Sequence, residues 1–413
     1  MHTVSQYTVK LSPKTYTQRL VNQKKKFTQA VTVAMEQHDE DKREKLQLVV
    51  VSLTEALTFI QQSYKQEVIC RKGALMALNK MGKMLGPALY KRAAESVCLK
   101  DSTLDAEQIL DKVVGKGGKA GAFAAFHSGR LAECRMDFPR AMARFDKAAA
   151  LDRVNPQYLR SVGLLSRKMY QHKKSLMSFM TLEKLLARSG KDSAELALAR
   201  REVAYSAALF GQNQQADAYY KKAMASLAKL AGKAHPEMGI CWYQVGLLKE
   251  SQGLYEQAEK PYKNALASMS KAGNDMILAD ILDKLARLHM ELEGEPDAIP
   301  LFERLLKIKK NSPAPDLAGI IIICNNIGEA YRICGKYDQS EKYYKQALVV
   351  TQKLRGKDHP AVGSIYQELA KLCERQRKMD EVKKYNKMAS AIFQRVLEKQ
   401  EAAGGGGEER LTL

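Results

Sequence analysis

The sequence is poor in residues that break or cross-link a folded chain. Its 413 residues include 11 prolines, one tryptophan, and seven cysteines that are odd in number, widely spaced and free of CxxC pairs. This spacing argues against a zinc site and against a disulfide framework. We therefore expect the cysteines to stay reduced, as small core hydrophobes, in a cytoplasmic setting.

Long apolar runs are also missing. The longest stretch, Leu46–Ile60, is too short to span a membrane and contains Glu55. The N-terminus lacks the apolar core of a secretory signal. Residues 1–35 contain no acid, which faintly resembles an organelle transit peptide, but we interpret residues 1–23 as a flexible basic leader.

The chain has almost no strand signal. Alternating runs of β-branched residues are absent, and the one β-branched run, Ile320–Cys324, lies inside a helical pattern and is interpreted as buried helix. Hydrophobic residues make up 45% and charged residues 27%, as in folded soluble chains. Alanine, leucine, lysine, glutamate and methionine recur throughout, so the composition favours helix along the whole chain.

Spacings typical of catalytic or metal sites are missing too. The glycine-rich stretch 115–121 follows no strand and lacks the GxxxxGK[ST] frame of a phosphate-binding loop, so we interpret it as a linker. His235 and His359 are isolated, and no HExxH or Ser–His–Asp grouping stands out. The sequence therefore predicts no catalytic residue, no cofactor, no metal and no enzymatic activity.

What the sequence does contain is an internal repeat. Three segments share a small residue followed by glycine seven, a small residue twelve, tyrosine sixteen and alanine nineteen positions later. The three sets are Ala204, Gly211, Ala216, Tyr220 and Ala223; Gly246, Gly253, Ala258, Tyr262 and Ala265; and Gly328, Gly335, Ser340, Tyr344 and Ala347. Weaker copies place further anchors at Gly129, Gly163, Ala286 and Ala370.

The residue types in the repeat indicate a helix, a short turn and a second helix. Small residues at the anchor and at twelve and nineteen positions on allow two backbones to approach closely. Glycine at seven positions on suits a helix C-cap with positive φ. The aromatic residue at sixteen is expected to fill the gap between neighbouring units. A single unit cannot bury its apolar face, so units must stack.

This pattern resembles the tetratricopeptide repeat, and its spacing near 42 residues resembles the longer form of kinesin light chains and many bacterial repeat proteins. The resemblance implies an all-α, right-handed α-solenoid of stacked helix-turn-helix units with a helical N-terminal region. It also predicts about two added turns in each second helix. The recurring phrases GKAHP (232–236) and GKDHP (356–360) then end one helix at glycine and start the next at proline.

The predicted organisation has four parts. Residues 1–23 form the leader, 24–118 a helical cap that could include a degenerate repeat, 119–400 a solenoid of about seven repeats, and 401–413 a disordered tail. The helices of the cap could also form a homodimer.

The resemblance further implies a concave groove lined by the first helix of each unit, which would bind a partner's peptide or helix. The paired amides of Asn325 and Asn326 suit an extended peptide backbone, because an amide both donates and accepts hydrogen bonds. The candidate groove residues are Arg201, Tyr205, Tyr243, Gln244, Lys284, Arg287, Asn325, Asn326, Arg332, Gln367 and Lys371.

The charge balance leaves an alternative open. The chain has 67 Lys and Arg against 46 Asp and Glu, a net charge of +21, and such an excess can attract nucleic acid or another acidic surface. The cations are interspersed with acids along the helices, however, which is typical of a solvated surface. We therefore expect a protein-interaction scaffold of unidentified partner, with nucleic-acid binding as the second hypothesis.

Overall fold

Every regular element that the structure describes is an α-helix. The computed structural model describes residues 70–76, 78–79, 87–99, 103–231, 236–270, 275–311 and 316–404, and within these the all-α prediction is confirmed. The leader and most of the cap and tail lie outside the described residues. The helices are α1 Pro87–Leu99, α2 Leu104–Val114, α3 Gly118–Cys134, α4 Phe138–Leu151, α5 Pro156–Lys168, α6 His172–Ala187, α7 Ala194–Leu209, α8 Asn213–Ala231, α9 Pro236–Ser251, α10 Tyr255–Met269, α11 Asp275–Glu291, α12 Glu295–Asn311, α13 Leu317–Ile333, α14 Tyr337–Arg355, α15 Pro360–Arg375 and α16 Met379–Gly404.

The described residues belong to two compact units, one ending at Leu254 and the other beginning at Tyr255. Within each unit every helix packs against the next one along the chain, as in an α-solenoid. In the first unit, α1 and α2 share one apolar core with α3, α4 and α5. In the second unit, a single core extends from Leu278 on α11 to Ile392 on α16.

Each of the seven anchor residues lies on the first helix of a helix pair, from α3 and α4 to α15 and α16. The aromatic residue sixteen positions on lies on the second helix and is almost completely buried in six of the seven repeats. These residues are Phe145, Phe179, Tyr220, Tyr262, Phe302 and Tyr344, each at most 2% exposed.

In the repeats anchored at Gly129, Gly163 and Gly328, the aromatic residue packs on the anchor of its own repeat. A Cβ atom added to Gly163 would lie 2.7 Å from the Phe179 ring, and one added to Gly129 would lie 2.8 Å from Phe145. Phe179 also shares an apolar core with Val203 on α7, so it packs between neighbouring repeats as expected. The small anchor is needed because the ring lies directly against the helix backbone at that point.

A serine twelve positions after the anchor adds a hydrogen bond to this contact. Ser175 Oγ donates to the carbonyl oxygen of Gly163 at 2.9 Å, and Ser340 Oγ donates to that of Gly328 at 2.6 Å. Because both serines are buried, each hydroxyl needs a partner. The anchor carbonyl supplies it, so the two helices of the repeat are held together by a polar contact as well as by packing.

The turn between the two helices has the same geometry in all seven repeats. The residue seven positions after the anchor has positive φ whether or not it is glycine, as at Gly335 (68°) and Glu293 (56°). The amide that follows it donates to a carbonyl five residues back, for example Lys336 N to Tyr331 O at 2.9 Å. This is the Schellman arrangement that closes a helix C-terminus.

Glycine at this turn position is expected to stabilise a repeat that now has another residue there. Glu293→Gly should raise the free energy of unfolding by about 0.5–1 kcal/mol, because a left-handed residue with a Cβ is strained. Gly335→Ala should lower it by about 1 kcal/mol. Urea denaturation followed by circular dichroism measures both. Glu293→Ala is the control, since it keeps the Cβ and should give no gain.

The GKDHP phrase connects α14 to α15 as the sequence predicts. Gly356 follows α14 with φ 88°, and Pro360 is the first residue of α15. His359 Nδ1 accepts a hydrogen bond from Ala361 N at 3.1 Å, so this histidine is the N-cap of α15. In the GKAHP copy, residues 232–235 lie outside the described range, and Pro236 begins α9.

The extra residues of the long repeats lie mainly in helices. The second helix α4 of the 34-residue first repeat has 14 residues, whereas α8 and α14 have 19 each and α6 has 16. The gain in these second helices is therefore little more than one turn at most, and the prediction of two added turns was wrong. The connection from α14 to α15 has four residues, as does the one from α4 to α5, so the remaining residues of this repeat extend the start of α15.

The glycine-rich stretch before the array is a tight crossing of two helices. Helix α2 ends at Val114 and α3 already begins at Gly118. A Cβ atom on Gly121 would lie 3.1 Å from the carbonyl oxygen of Val114, so the glycine lets the backbones approach. The interpretation of residues 115–121 as a linker therefore applies only to the short turn at 115–117.

One pair of cysteines departs from the expectation that all seven are reduced. Cys70 and Cys134 form a disulfide whose Cα atoms are 7.1 Å apart. The two residues are 64 positions apart in the sequence, so no local spacing indicates their pairing. The other five are free, and Cys98, Cys241, Cys324 and Cys373 are buried as core residues, as predicted.

Candidate functional site

Helix α13 positions the central residues of the candidate site. Asp316 caps its N-terminus by accepting a hydrogen bond from Gly319 N at 2.9 Å. Ile320 and Cys324, four residues apart, lie in the core of the second unit. Ile321 and Asn325 come one residue later, about 100° around the helix, and therefore face a different side.

That side of α13 forms one wall of a groove of about 640 Å³ in the second unit. Helix α15 forms the other wall, and Tyr344 of α14 lies between the two. We call it the α13/α15 groove. Its lining residues are Ile321, Asn325, Asn326, Glu329, Arg332, Tyr344, Ala361, Ser364, Ile365, Glu368, Lys371, Glu374 and Arg375.

Two asparagines provide the amide groups of the groove. Asn325 and Asn326 are both half-buried. The Oδ1 atom of Asn325 is fully buried, yet it accepts no hydrogen bond from any described residue. A buried acceptor without a donor costs about 1–3 kcal/mol. Because Asn325 lines the groove, a rotation of its amide would bring this acceptor to an N–H group that enters the groove.

The charged residues of the groove form ion pairs along each wall. Arg332 donates to both carboxylate oxygens of Glu329, with its Nε 2.8 Å from Oε2, and Tyr344 OH donates to the same Oε2 at 3.0 Å. The hydrogen bonds from Arg332 hold the pKa of Glu329 below its ordinary value. On α15, Lys371 Nζ lies 2.8 Å from Glu368 Oε1. Acids and cations are thus balanced around the two amides.

The structure brings four of the predicted groove residues to this groove, namely Asn325, Asn326, Arg332 and Lys371. Gln367 is exposed on α15 and does not line it. On α11, Lys284 is half-buried, and Arg287 is exposed with its Nε 3.1 Å from Asp283 Oδ1.

The predicted residues of the first unit lie in a closed network of side chains. Arg201 pairs with Glu237 and with Glu202, whose other oxygen lies 2.6 Å from Arg167 Nη1. The Arg167 guanidinium also lies 4.9 Å from the ring centroid of Tyr205. Arg201 and Tyr205 are therefore held in internal contacts that link α5, α7 and α9.

The remaining predicted residues of the first unit are on α9. Tyr243 and Gln244 are half-buried, and Gln244 Oε1 is buried without a hydrogen-bond partner among the described residues. Trp242 is partly buried and packs beside the small core cluster that contains Met238 and Cys241.

The apolar lining was missed by the sequence analysis. Ile321 and Ile365 are 9% and 4% exposed, so their side chains lie at the bottom of the α13/α15 groove. Each sits where an ordinary core residue of a first helix is expected. A signal was present, because Ile321 lies four residues before Asn325 and therefore on the same face of α13.

The comparisons with known proteins agree with the predicted resemblance to the tetratricopeptide repeat. Residues 319–395, which contain α13, α14, α15 and most of α16, match the sequence profile of the tetratricopeptide repeat. Residues 319–395 thus carry repeats of the tetratricopeptide type. Outside this segment the five offsets recur in full at the anchors Ala204 and Gly246, and in part at Gly129, Gly163 and Ala286.

A curated relative is the protein KINESIN LIGHT CHAIN-RELATED 3 of Arabidopsis thaliana, 32% identical over 75 residues. These residues are 18% of this chain and 12% of the relative, so the chain spans a small part of that protein. The kinesin-light-chain-like form of the tetratricopeptide repeat is thereby found in sequence as well as in repeat length.

Two solved structures show similarity to this chain. BtubC (BKLC) of P. vanneervenii is 17% identical with a TM-score of 0.43, over 60% of this chain and 92% of that one. The apo form of the quorum sensor NprR of B. thuringiensis is 13% identical with a TM-score of 0.46, over 92% of this chain and 99% of that one.

Among the described residues, no helix is both long and apolar enough to cross a membrane. Within the same part of the chain, no three His, Cys, Asp or Glu side chains cluster in a way that could hold a metal ion.

Proposed function

We propose that this tetratricopeptide-repeat protein is a non-catalytic scaffold that binds an extended peptide of a partner protein in the α13/α15 groove. The observation that carries the proposal is the buried, unpartnered Oδ1 of Asn325 in a groove of about 640 Å³. An N–H group of a bound peptide backbone would satisfy this acceptor. Asn326 beside it would supply a second amide, so the pair suits a peptide without fixing its side chains.

The rest of the groove supports a peptide of mixed character. Ile321 and Ile365 provide an apolar surface for one side chain of the peptide. The Glu329–Arg332 and Lys371–Glu368 ion pairs are only partly buried. Either pair can therefore open, so that one of its members binds a charged side chain of the ligand. We expect these pairs to add selectivity more than affinity.

The cysteines support the non-catalytic part of the proposal. Burial raises the pKa of Cys241 to about 12 and the pKa of Cys324 to about 11. Such thiols are protonated at neutral pH and are poor nucleophiles. The five free cysteines fit the cytoplasmic location that we propose for the scaffold, whereas the Cys70–Cys134 disulfide does not.

The test begins with a random decapeptide display library selected on the full-length chain. Selected peptides are then titrated by fluorescence anisotropy against the wild type and Asn325→Ala. We expect affinity to fall about ten-fold, since one buried hydrogen bond is lost. The free energy of unfolding should stay unchanged or rise by up to about 1 kcal/mol, because the unpaired acceptor is removed.

The matched control is Asn386→Ala, an exposed asparagine on α16 outside the α13/α15 groove. It should leave affinity unchanged. If Asn325→Ala binds the selected peptides as tightly as the wild type, the groove assignment is wrong. If the library yields no binding peptide at all, the proposal that the scaffold binds extended peptides is wrong.

Nucleic-acid binding remains the second candidate and rests on the net charge of +21. Many cations are already paired, for example Lys168 with Glu133 at 2.8 Å and Lys249 with Asp217 at 2.9 Å. A salt slope near zero for binding to a DNA duplex would remove this candidate. The homodimer predicted through the N-terminal helices concerns residues that are mostly outside the described range, and it stays a prediction.

A further inference from the structure

A second groove lies in the second unit, between α12 and α14. Its volume is about 620 Å³, and α13 forms its floor through Ile320 and Cys324. Ile321 and Asn325, one residue further along α13, line the α13/α15 groove instead. The same helix therefore contributes to two separate grooves that face different directions.

This α12/α14 groove has an apolar floor and a lysine rim. Ile320 and Cys324 are buried in the floor, while Val349 is 63% exposed and Val350 is half-buried. The lining residues are Lys310, Ile320, Cys324, Asp338, Glu341, Lys342, Lys345, Gln346, Val349 and Val350. A contiguous apolar surface rimmed by polar residues is a feature of protein interaction sites.

Some charged side chains of the rim have a partner of opposite charge among the described residues, and others do not. Glu341 is paired with Lys345, at 2.6 Å between Oε1 and Nζ. Lys310 Nζ contacts only the neutral Oε1 of Gln346, at 3.1 Å. Lys342 is exposed and has no carboxylate within ion-pair distance among the described residues. Asp338 is in the first turn of α14, where the helix dipole already favours a negative charge. Lys310 and Lys342 therefore lack acidic partners.

The groove offers little to an extended peptide backbone. Gln346 is its one amide side chain, and the oxygen of that amide already accepts from Lys310. A helix needs no such groups, because its backbone hydrogen bonds are satisfied internally. An amphipathic helix can place its apolar face on the floor and its charged face against the rim.

We propose that the α12/α14 groove binds an acidic amphipathic helix of a partner protein. The apolar face of that helix would cover Val349, Val350 and Ile320. Its acidic side chains would pair with Lys310 and Lys342 on the rim. This inference does not rest on the peptide site of the α13/α15 groove. Together the two sites would allow one repeat to join two different ligands, which is the task of an adaptor.

The probe is a fluorescein-labelled helical peptide of three heptads, with leucine on one face and glutamate on the other. A matched peptide has lysine in place of glutamate. Anisotropy titrations use the full-length chain. We expect the acidic peptide to bind and the basic one to fail. Lys342→Glu and Val349→Ser should each weaken binding about ten-fold, because one reverses a rim charge and the other removes apolar contact.

Lys353→Glu is the matched control, since Lys353 is exposed on the same helix but lies outside the groove. It should change affinity less than about two-fold. All three α14 substitutions are at exposed positions. Circular dichroism verifies that the variants fold.

Three results would overturn the proposal. In the first, the acidic peptide does not bind, or binds no better than the basic peptide. In the second, Asn325→Ala rather than Val349→Ser removes binding of the acidic peptide, which would assign this peptide to the α13/α15 groove. In the third, a DNA duplex displaces the peptide and its own affinity depends on Lys342 but not on Val349. The occupant would then be nucleic acid, because phosphates need the charge of the rim and not the apolar floor.

Discussion

Replacing Phe179 with alanine is expected to lower the local stability of its repeat by about 3–5 kcal/mol. Phe179 is fully buried on α6 and packs against the backbone of Gly163 on α5. Removing the ring takes away its buried apolar surface and leaves a cavity between two helices. Native-state hydrogen exchange of amides from α5 and α6 measures the loss, because repeats can open one at a time.

A second substitution tests the cause of this effect. In the wild type, Gly163→Ala should destabilise the repeat by about 1–3 kcal/mol, because its Cβ would lie 2.7 Å from ring atoms of Phe179. In the Phe179→Ala background the clash is gone. Alanine should then stabilise the repeat by up to about 1 kcal/mol, since it is the better helix former.

The sign of the Gly163→Ala effect is therefore expected to depend on residue 179. If alanine is equally harmful in both backgrounds, the aromatic is not the reason for the small anchor. An aromatic residue that packed only between neighbouring repeats would not couple to the anchor of its own repeat.

The sequence was sufficient for those features of the fold that depend on offsets within one repeat. Five shared positions located the anchors, the buried aromatics and the turns, because helix-on-helix packing demands small residues at fixed spacings. Residue type alone did not reveal that Tyr170 and Glu293 have positive φ. They share with the glycines a position seven residues after an anchor, so the register determines this backbone conformation more than the residue type does.

The candidate site was predictable only in part. Asn325 and Asn326 were found because paired amides are unusual on a helix face. Arg201 was assigned to the groove by the same register, yet its guanidinium is held by Glu202 and by Glu237, 36 residues away. Pairing over such distances depends on how adjacent repeats stack. The sequence of one repeat has no information about it, and the same is true of Cys70 and Cys134.

The grooves show the limit of helix periodicity as a guide to function. Ile320 and Ile321 look equivalent in a run of four isoleucines, but one faces the α12/α14 groove and the other the α13/α15 groove. A hydrophobic pattern identifies the apolar face of a helix. Which part of that face is covered depends on the neighbouring helices, so the division of α13 between two grooves required the structure.

Glu107→Ala is expected to lower the stability of the region around α2 by about 3–5 kcal/mol. Glu107 is completely buried on α2. Its carboxylate accepts hydrogen bonds from Arg135 at 3.1 and 2.8 Å and from Thr103 Oγ1 at 3.0 Å, and lies 3.2 Å from Arg140 Nε. Removing it would leave two arginines of the first repeat without their shared acid.

The loss of stability should come mainly from the two arginines that no longer have a carboxylate partner. A double-mutant cycle can separate this contribution from the loss of packing. Arg135→Ala in the Glu107→Ala background should cost less than Arg135→Ala alone, with a coupling energy of about 1–3 kcal/mol. Hydrogen exchange of amides in α2 and α3 gives the four free energies. Glu133→Ala is the control, because its pair with Lys168 is largely solvated and should contribute less than about 1 kcal/mol. Additive effects of Glu107 and Arg135 would mean that the buried carboxylate stabilises the repeat through packing alone, and that its charge contributes nothing.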